Sequence, residues 1–322
     1  ELVAFIHRWH MPLFFLLAGM AAWYALRRRT GRVFVWERVR RLFIPLLVGV
    51  TLIIPPQVYL ERISATVATR QSPIDFDGSY FKFLPEAFNP IYPDGNLSWH
   101  HLWFLAYLFT YSLILLPLFL WLRGRGAPLR RRITGFLSRG WNVLLPAALL
   151  AGFEALLRPS FPNNQDLVSD LANHANYPLV FLLGYLLVSD DRLDGAIERV
   201  WRWSLTIGIL GAALPLAGDL GDAGHAALRG VVEWTVVVGL IGMGRRLVHH
   251  PVPWVQRFSA ISLPFYIWHQ TVIIVLAYFV IQWDLSAWLM YPVIALPAFA
   301  ITWALSRLVA LSGPTRAMFG VR

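Results

Sequence analysis

Two arginines, Arg38 and Arg41, have the spacing of a phosphate-binding pair. If a helix begins near Glu37, they lie at positions i and i+3 and share one face of that helix. Guanidinium groups bind phosphate oxygens through two parallel hydrogen bonds, so an aligned pair suits a phosphorylated or pyrophosphate-bearing donor such as an acyl-CoA. The alternative is that both arginines anchor the chain at a membrane surface and contact anionic lipid headgroups.

Histidines form the second group of residues that could do chemistry. His10 precedes an apolar run, His101 lies two residues before Trp103, and His269 lies inside another apolar run. A neutral imidazole can take a proton from a hydroxyl group and return it, as acyl transfer to an alcohol requires. We therefore name His10, His101, Trp103 and His269 as candidates for an acceptor site or cavity. The alternative is that each histidine only orients or packs a helix.

Two carboxylates, Glu154 and Glu233, fall within apolar runs. A lone carboxylate at the centre of a bilayer costs about 2.5–3.5 kcal/mol, so each should face the bundle interior or water. Glu233 is the deeper of the two and is a further candidate cavity residue. Its alternative role is a protonated or hydrogen-bonded packing residue, and Arg229, one helical turn earlier, could pair with it. Glu154 lies near the end of a run and is predicted to be interfacial.

Membrane-spanning helices must position these residues. Hydrophobic residues make up 57% of the 322-residue chain and charged residues 14%, and the mean hydropathy is +0.55. The polar surface of a soluble domain could not cover this composition. Apolar runs long enough to cross a bilayer about 30 Å thick predict an all-α, polytopic transmembrane helix bundle. About nine spans are predicted, near residues 11–27, 42–60, 101–122, 141–157, 175–189, 203–218, 229–248, 259–282 and 286–311.

Basic residues alternate between the connections of these spans. Connections 27–41, 123–139, 190–202, 245–257 and 307–322 hold 7, 6, 3, 3 and 3 of the 28 lysines and arginines. Because cytoplasmic connections carry the excess of basic residues, we predict a cytoplasmic C-terminus and an extracytoplasmic residue 1. The formal net charge of +10 is then a topology signal in a lipid bilayer, and nucleic acid is not expected as a partner.

The longest outer connection, residues 61–100, is rich in aromatic side chains such as Tyr80, Phe81, Phe83 and Phe88. Loops of this length usually have a function or are disordered, and the aromatic content argues against disorder. Two interpretations stay open. The aromatic residues anchor the loop at the lipid interface, or the loop is a lid or platform for an extracytoplasmic acceptor. We interpret residues 1–322 as one membrane domain that includes this loop.

Other chemistries have no signature in the sequence. Cysteine is absent, which excludes thiolate and disulfide chemistry. We find no glycine-rich phosphate loop, His-Glu-x-x-His zinc pair, Gly-x-Ser-x-Gly elbow or nucleotide fingerprint. We therefore expect neither a bound cofactor nor a metal.

Four segments resemble acyltransferase family 3. They are HMPLFFLLAG from His10, RVRRLFIP from Arg38, HLWFL from His101, and SLPFYIWH, which ends at His269. Within the family, the branch around the glucan biosynthesis protein C succinyltransferases is the most similar. The order and spacing of the segments and the matching topology make the likeness specific, and it covers nearly the whole chain.

The resemblance implies a ten-span bacterial inner-membrane enzyme. Such an enzyme takes an acyl group, acetyl or succinyl, from the co-substrate acyl-CoA in the cytoplasm and places it on a hydroxyl of an extracytoplasmic carbohydrate. The family's Arg-x-x-Arg motif, linked to donor binding or activity, corresponds to Arg38 and Arg41. Its essential histidine belongs to a first span that we expect to precede residue 1, so the catalytic residue stays unassigned.

Two other functional classes stay open. A transporter or flippase could move a glycan or lipid through the same polar cavity without acyl chemistry. Transporters often have paired halves with helices broken at glycine or proline, and no such halves are visible in the sequence. A membrane scaffold without catalytic activity is the third possibility.

Overall fold

The structure is a computed structural model that describes residues 2–64, 76–91, 95–214, 218, 220–248, 250 and 252–321. These residues form helices and no β-strand, which confirms the predicted all-α transmembrane class. Within these ranges, five helices are long and apolar enough to cross a membrane, or up to eight if each of three bent pairs is one span. The count of nine spans of an expected ten stays a prediction.

Fifteen α-helices are present in the described residues. In chain order they are α1 (Leu2–Arg28), α2 (Gly31–Arg38), α3 (Ile44–Val48), α4 (Pro55–Ile63), α5 (Tyr80–Phe83), α6 (Trp103–Ile114), α7 (Leu116–Arg123), α8 (Ala127–Leu137), α9 (Pro146–Leu157), α10 (Leu171–Leu187), α11 (Arg192–Ala213), α12 (Gly221–Leu247), α13 (Pro253–Val280), α14 (Ala287–Val309) and α15 (Gly313–Met318). Short 3-10 helices cover Glu86–Phe88, His100–Leu102 and Asn142–Leu144.

Helices α2 to α4 form one apolar stretch, Gly31–Ile63, that contains two π-helical turns. The π-turns cover Val39–Phe43 and Gly49–Ile53. Each is followed within two residues by a proline, Pro45 or Pro55. Proline has no N–H group to donate to the carbonyl four residues earlier, so the regular α-helical ladder is interrupted near both turns. The residues of a π-turn therefore do not follow α-helical spacing.

Contacts divide the chain into two compact units. The first contains Glu1–Val35 and Thr110–His250, and the second contains Trp36–Phe109 and Pro251–Arg322. The single membrane domain predicted from the sequence stays a prediction.

In the first unit, α10 packs on α1, and α12 packs on α9 and α11. Two glycines let the helix backbones approach closely. A Cβ atom on Gly184 would lie 2.1 Å from the carbonyl oxygen of Leu16, and one on Gly230 would lie 2.5 Å from the amide nitrogen of Ala151. Small residues serve this purpose where membrane helices cross. Gly230 thereby holds α12, which carries Glu233, against α9, which carries Glu154.

In the second unit, α13 packs on α14 and α4. The hydroxyl of Thr271 in α13 lies 3.0 Å from the carbonyl oxygen of Ile53 and 3.2 Å from Oε1 of Gln57. Both acceptors are buried, so this hydrogen bonding fixes α13 beside the second π-turn.

The described part of the 61–100 loop packs on α4. The ring centroid of Phe83 lies 5.6 Å from that of Tyr59 and 5.5 Å from that of Phe76, and Phe83 is fully buried. Phe81, in contrast, is 81% exposed. Residues 65–75 and 92–94 of the loop lie outside the described residues. Part of the aromatic content thus forms a small core, and the roles of interfacial anchor and acceptor platform stay predictions for the exposed rings.

Candidate functional site

A positively charged cleft of about 370 Å³ lies between the first π-turn and the C-terminal segment of the second unit. Its lining includes Trp36, Glu37, Arg40, Arg41 and, from residues 313–321, Arg316. Three guanidinium groups therefore face one carboxylate. The volume is in the range of small-molecule sites, about 300–1,000 Å³. The cleft can accept a ligand with more than one negative charge.

The C-terminal segment is seated against the π-turn by close packing. Gly320 has a φ of +68°, and a Cβ atom there would lie 3.1 Å from the carbonyl oxygen of Arg41 and 3.0 Å from Cγ of Pro45. Glycine adopts this backbone conformation without strain and leaves room for the contact. The ring of the preceding residue, Phe319, stacks on that of Trp268 in α13, with centroids 5.8 Å apart. These contacts bring Arg316 to the same cleft as Arg40 and Arg41.

The structure corrects the helical spacing assumed for Arg38 and Arg41. Arg41 lines the cleft, but its neighbour there is Arg40, and Arg38 is not among the lining residues. The expected shared face is wrong because residues 39–43 form a π-turn, in which each residue rotates the chain by less than in an α-helix. Arg38 has a buried Nε atom, whereas Arg40 is exposed. A role for Arg38 in donor binding stays a prediction.

His101 and His269 form a second group in the same unit. Their rings are nearly perpendicular, with centroids 5.1 Å apart. Nε2 of His101 lies 3.1 Å from the carbonyl oxygen of Ile267, and Nδ1 of His269 lies 2.5 Å from the carbonyl oxygen of Tyr266. A carbonyl only accepts hydrogen bonds, so each of these ring nitrogens carries a proton. In the neutral rings, Nδ1 of His101 and Nε2 of His269 hold the lone pairs.

Tyr266 completes the histidine group, because its hydroxyl donates to the carbonyl oxygen of His101. Nδ1 of His101 is buried and has no hydrogen-bond partner among the described residues. The group therefore presents a buried acceptor nitrogen in a fixed orientation. Such a nitrogen suits a hydroxyl donor.

The other two acceptor candidates, Trp103 and His10, do not belong to the histidine group. Trp103 is 7% exposed and packs edge-to-face on Tyr107, with ring centroids 5.2 Å apart. His10 belongs to the first unit, where its Nδ1 lies 2.9 Å from the carbonyl oxygen of Ile6 and its ring centroid 5.0 Å from that of His7. The structure thus joins His101 with His269, while acceptor roles for Trp103 and His10 stay predictions.

The two membrane carboxylates meet in the first unit. Arg158 binds Glu154 through two hydrogen bonds, of 2.9 Å from Nε and 2.8 Å from Nη2. Asn176 of α10 donates from Nδ2 to both carboxylates, at 3.1 Å to Glu154 and 3.0 Å to Glu233. Glu154 is 1% exposed, and its predicted place at the membrane interface stays a prediction. The predicted partner of Arg229 is corrected, because Arg229 forms its salt bridge with Glu154, at 3.9 Å, rather than with Glu233.

Sequence reasoning missed Arg40, Arg316 and Asn176. Arg316 follows the last predicted span in a connection assigned to the same side as residues 27–41, which was a usable signal. Asn176 lies at the start of the predicted span 175–189, and a polar amide at such a position indicates a buried partner. Nothing in the sequence marked Arg40, because its place in the cleft depends on the π-turn.

A metal site is not formed within the described ranges, where no three histidine, aspartate or glutamate side chains converge on one point.

Among known proteins, the family model Acyl_transf_3, described as an acyltransferase domain, matches residues 1–307. No curated protein and no solved structure matches the chain.

Proposed function

Since the chain belongs to acyltransferase family 3, we propose that it moves an acetyl or succinyl group from cytoplasmic acyl-CoA to a hydroxyl of an extracytoplasmic glycan. The family match and the apolar helices make it a multi-pass membrane acyltransferase. The acyl-CoA donor, the glycan acceptor, the two acyl groups and the bacterial inner membrane are the proposed part. The likeness to the glucan biosynthesis branch supports the choice of acceptor.

The cationic cleft is the observation that carries the donor assignment. Coenzyme A has a diphosphate, a further phosphate on its ribose and an adenine ring. Arg40, Arg41 and Arg316 supply three guanidinium groups for the phosphates. Trp36, which is 59% exposed at the cleft, offers an aromatic face on which adenine can stack. These groups line a concave site, which suits coenzyme A. Arginines that only anchor the chain to the membrane would instead lie on a flat surface.

The two segments that line the cleft support a cytoplasmic donor site. Residues 27–41 and 307–322 were both assigned to the cytoplasm from their basic residues alone. Segments on opposite sides of a bilayer could not line one cleft. Their meeting at Arg41 and Arg316 is therefore consistent with that assignment, and with a cytoplasmic C-terminus.

We assign the acceptor hydroxyl to the group of His101 and His269. Transfer forms a C–O ester bond, breaks the C–S bond of the thioester and moves the hydroxyl proton to the thiol of coenzyme A. The buried Nδ1 of His101 can accept the hydrogen bond of that hydroxyl and orient its oxygen. The resemblance gives the family's essential histidine to a first span, so His101 and His269 are proposed to position the acceptor and not to be the catalytic base.

The proposal is tested by acyl transfer in sealed vesicles. The protein is reconstituted with labelled acetyl-CoA or succinyl-CoA on one side and a glucan on the other. We expect the label in an ester on the glucan. We also expect loss of this product in Arg41→Ala and Arg316→Ala, but not in Arg257→Ala, which removes an exposed arginine of α13 outside the cleft. Movement of glycan or lipid without consumption of acyl-CoA would contradict an acyltransferase and favour a transporter.

A further inference from the structure

Glu233 lies at the centre of a polar network buried among α9, α10 and α12. It is 2% exposed and stands next to the midpoint of α12, a helix of 27 residues. Helix α12 is apolar enough to span a membrane. The Glu233 carboxyl is thus shielded from water by the surrounding helices, and an ionised group there requires a compensating charge.

The charges near Glu233 already balance without it. Arg158 and Arg229 are the cations, and Glu154 is the anion that both contact. Asp170, fully buried at the start of α10, is the second anion. It is linked to Arg158 by Asn173, whose Nδ2 lies 2.6 Å from the Asp170 carboxylate and whose Oδ1 lies 2.7 Å from Nη2 of Arg158. An ionised Glu233 would add a third anion against two cations.

Two acceptor atoms beside the Glu233–Asn176 hydrogen bond lack a donor. Oε1 of Glu233 and Oδ1 of Asn176 are buried and form no hydrogen bond with any described residue. Turning the Asn176 amide by 180° would not help, because its Nδ2 would then leave both carboxylates. Unpaired buried acceptors are destabilising. A proton on Oε1 of Glu233 would turn that atom into a donor, and Oδ1 belongs to the same Asn176 amide whose Nδ2 already donates to Oε2.

Other elements packed near Glu233 leave this balance unchanged. Helix α10 contributes Tyr177, which lies within electrostatic range of both glutamates. Helix α1 contributes His10, within range of Arg229. Helix α11 meets α12 beside Glu233 through Ser204, whose hydroxyl donates to the carbonyl oxygen of Thr235 at 2.7 Å.

We infer that Glu233 is a proton-binding site at the middle of a membrane-spanning helix. Asn176 holds its carboxyl in the acid form, while Glu154 stays ionised beside Arg158. The site stores one proton on a buried carboxyl group of α12. It does not depend on the proposed donor or acceptor.

Infrared spectroscopy of the protein in lipid nanodiscs tests the inference without any substrate. At neutral pH we expect the C=O band of a protonated carboxyl group, shifted in D₂O. Glu233→Gln should lower the intensity of this band, and Glu154→Gln should leave it unchanged. A wild-type spectrum without the band, or equal band intensity in the wild type and Glu233→Gln, would overturn the assignment.

Thermal unfolding of the same two variants supplies a second readout. The side-chain amide of Glu233→Gln replaces the acid O–H donor, so the Tm should stay close to that of the wild type. Glu154→Gln removes the counter-ion of Arg158, and its Tm should fall. The alternative is that Glu233 is an anion bridged by water to the arginines. In that case the Tm of Glu233→Gln will be as low as that of Glu154→Gln, or Glu233→Gln will fail to fold. Either result would contradict the inference.

Discussion

Arg158 holds Glu154 through a two-point ion pair in a place where the carboxylate is only 1% exposed. The two residues are one helical turn apart at the end of α9. Because neither charge is well solvated, each depends on the other, and the pair fixes the carboxylate that Asn176 shares with Glu233.

Removing one member of this pair should be strongly destabilising. Arg158→Gln leaves the buried Glu154 carboxylate with Arg229 as its remaining cation, at 3.9 Å and without a hydrogen bond, and we expect a loss of about 3 kcal/mol in the free energy of unfolding. The double variant Arg158→Gln with Glu154→Gln should recover part of that loss, because no uncompensated charge remains. Denaturant unfolding in bicelles measures both. Glu198→Gln, an exposed acid of α11, is the control and should change stability by less than about 0.5 kcal/mol.

Gly230 should tolerate no side chain. An added Cβ would lie 2.5 Å from the backbone nitrogen of Ala151 and would push α12 from α9. We expect Gly230→Ala to lower the free energy of unfolding by about 2 kcal/mol. Gly244 of the same helix has no atom within 4 Å of the corresponding position, so Gly244→Ala should be neutral or stabilising by up to about 1 kcal/mol. Equal effects of the two variants would contradict the packing described.

The sequence was sufficient for the helical membrane class because the length and hydropathy of its apolar runs determine that class directly. It was also sufficient to single out Arg41 and Glu233, because a charged group beside or within an apolar run is costly unless it has a partner or a function. Which partners they have could not be predicted. Arg316 reaches Arg41, and Asn176 reaches Glu233, through helix packing over more than 50 residues of sequence.

The wrong spacing assumed for Arg38 and Arg41 has a local cause. Spacing rules assume an α-helix, and Pro45 interrupts the ladder of hydrogen bonds just where the rule was applied. Prolines in a predicted span therefore weaken any argument from i, i+3 spacing in the preceding turn. The partner of Glu154 was missed for a different reason, because distance from a span end does not reveal the ion pair with Arg158 one turn later.

Asp190, in the turn between α10 and α11, should make stability depend on acid pH. Arg192 binds its carboxylate at 2.9 and 2.7 Å, and the hydroxyl of Thr134 in α8 donates to it at 2.6 Å. These partners hold the pKa of Asp190 well below its usual value. The unfolded chain therefore binds the proton first, so the stabilisation is complete above about pH 4 and is lost as the pH falls further.

Thermal unfolding at a series of pH values measures this contribution. Asp190→Asn should lower the Tm by about 1–2 °C near neutral pH, since its partner Arg192 is 58% exposed and solvent screens the pair. The variant and the wild type should converge in acid. A constant difference between them down to the lowest pH would contradict the role of the Asp190 carboxylate.

His101→Gln should separate acceptor positioning from donor binding. The glutamine amide can still donate to the carbonyl oxygen of Ile267 in place of Nε2, but the lone pair of Nδ1 is lost. We expect the KM for the glycan to rise, kcat/KM to fall by about tenfold or more, and the Kd for acyl-CoA and the Tm to stay unchanged. A lower Tm with an unchanged KM would mean that His101 only packs the helices.

The central claim is that the cleft formed by Arg40, Arg41 and Arg316 binds the phosphates of the donor. Calorimetric titration of the detergent-solubilised protein with acyl-CoA tests it most directly, with acyl-pantetheine as the phosphate-free probe. We predict that Arg41→Ala and Arg316→Ala each raise the Kd for acyl-CoA by about tenfold or more, that Arg257→Ala stays within about twofold of the wild type, and that acyl-pantetheine does not distinguish the variants. Equal acyl-CoA affinity in the wild type, Arg41→Ala and Arg316→Ala would contradict the claim.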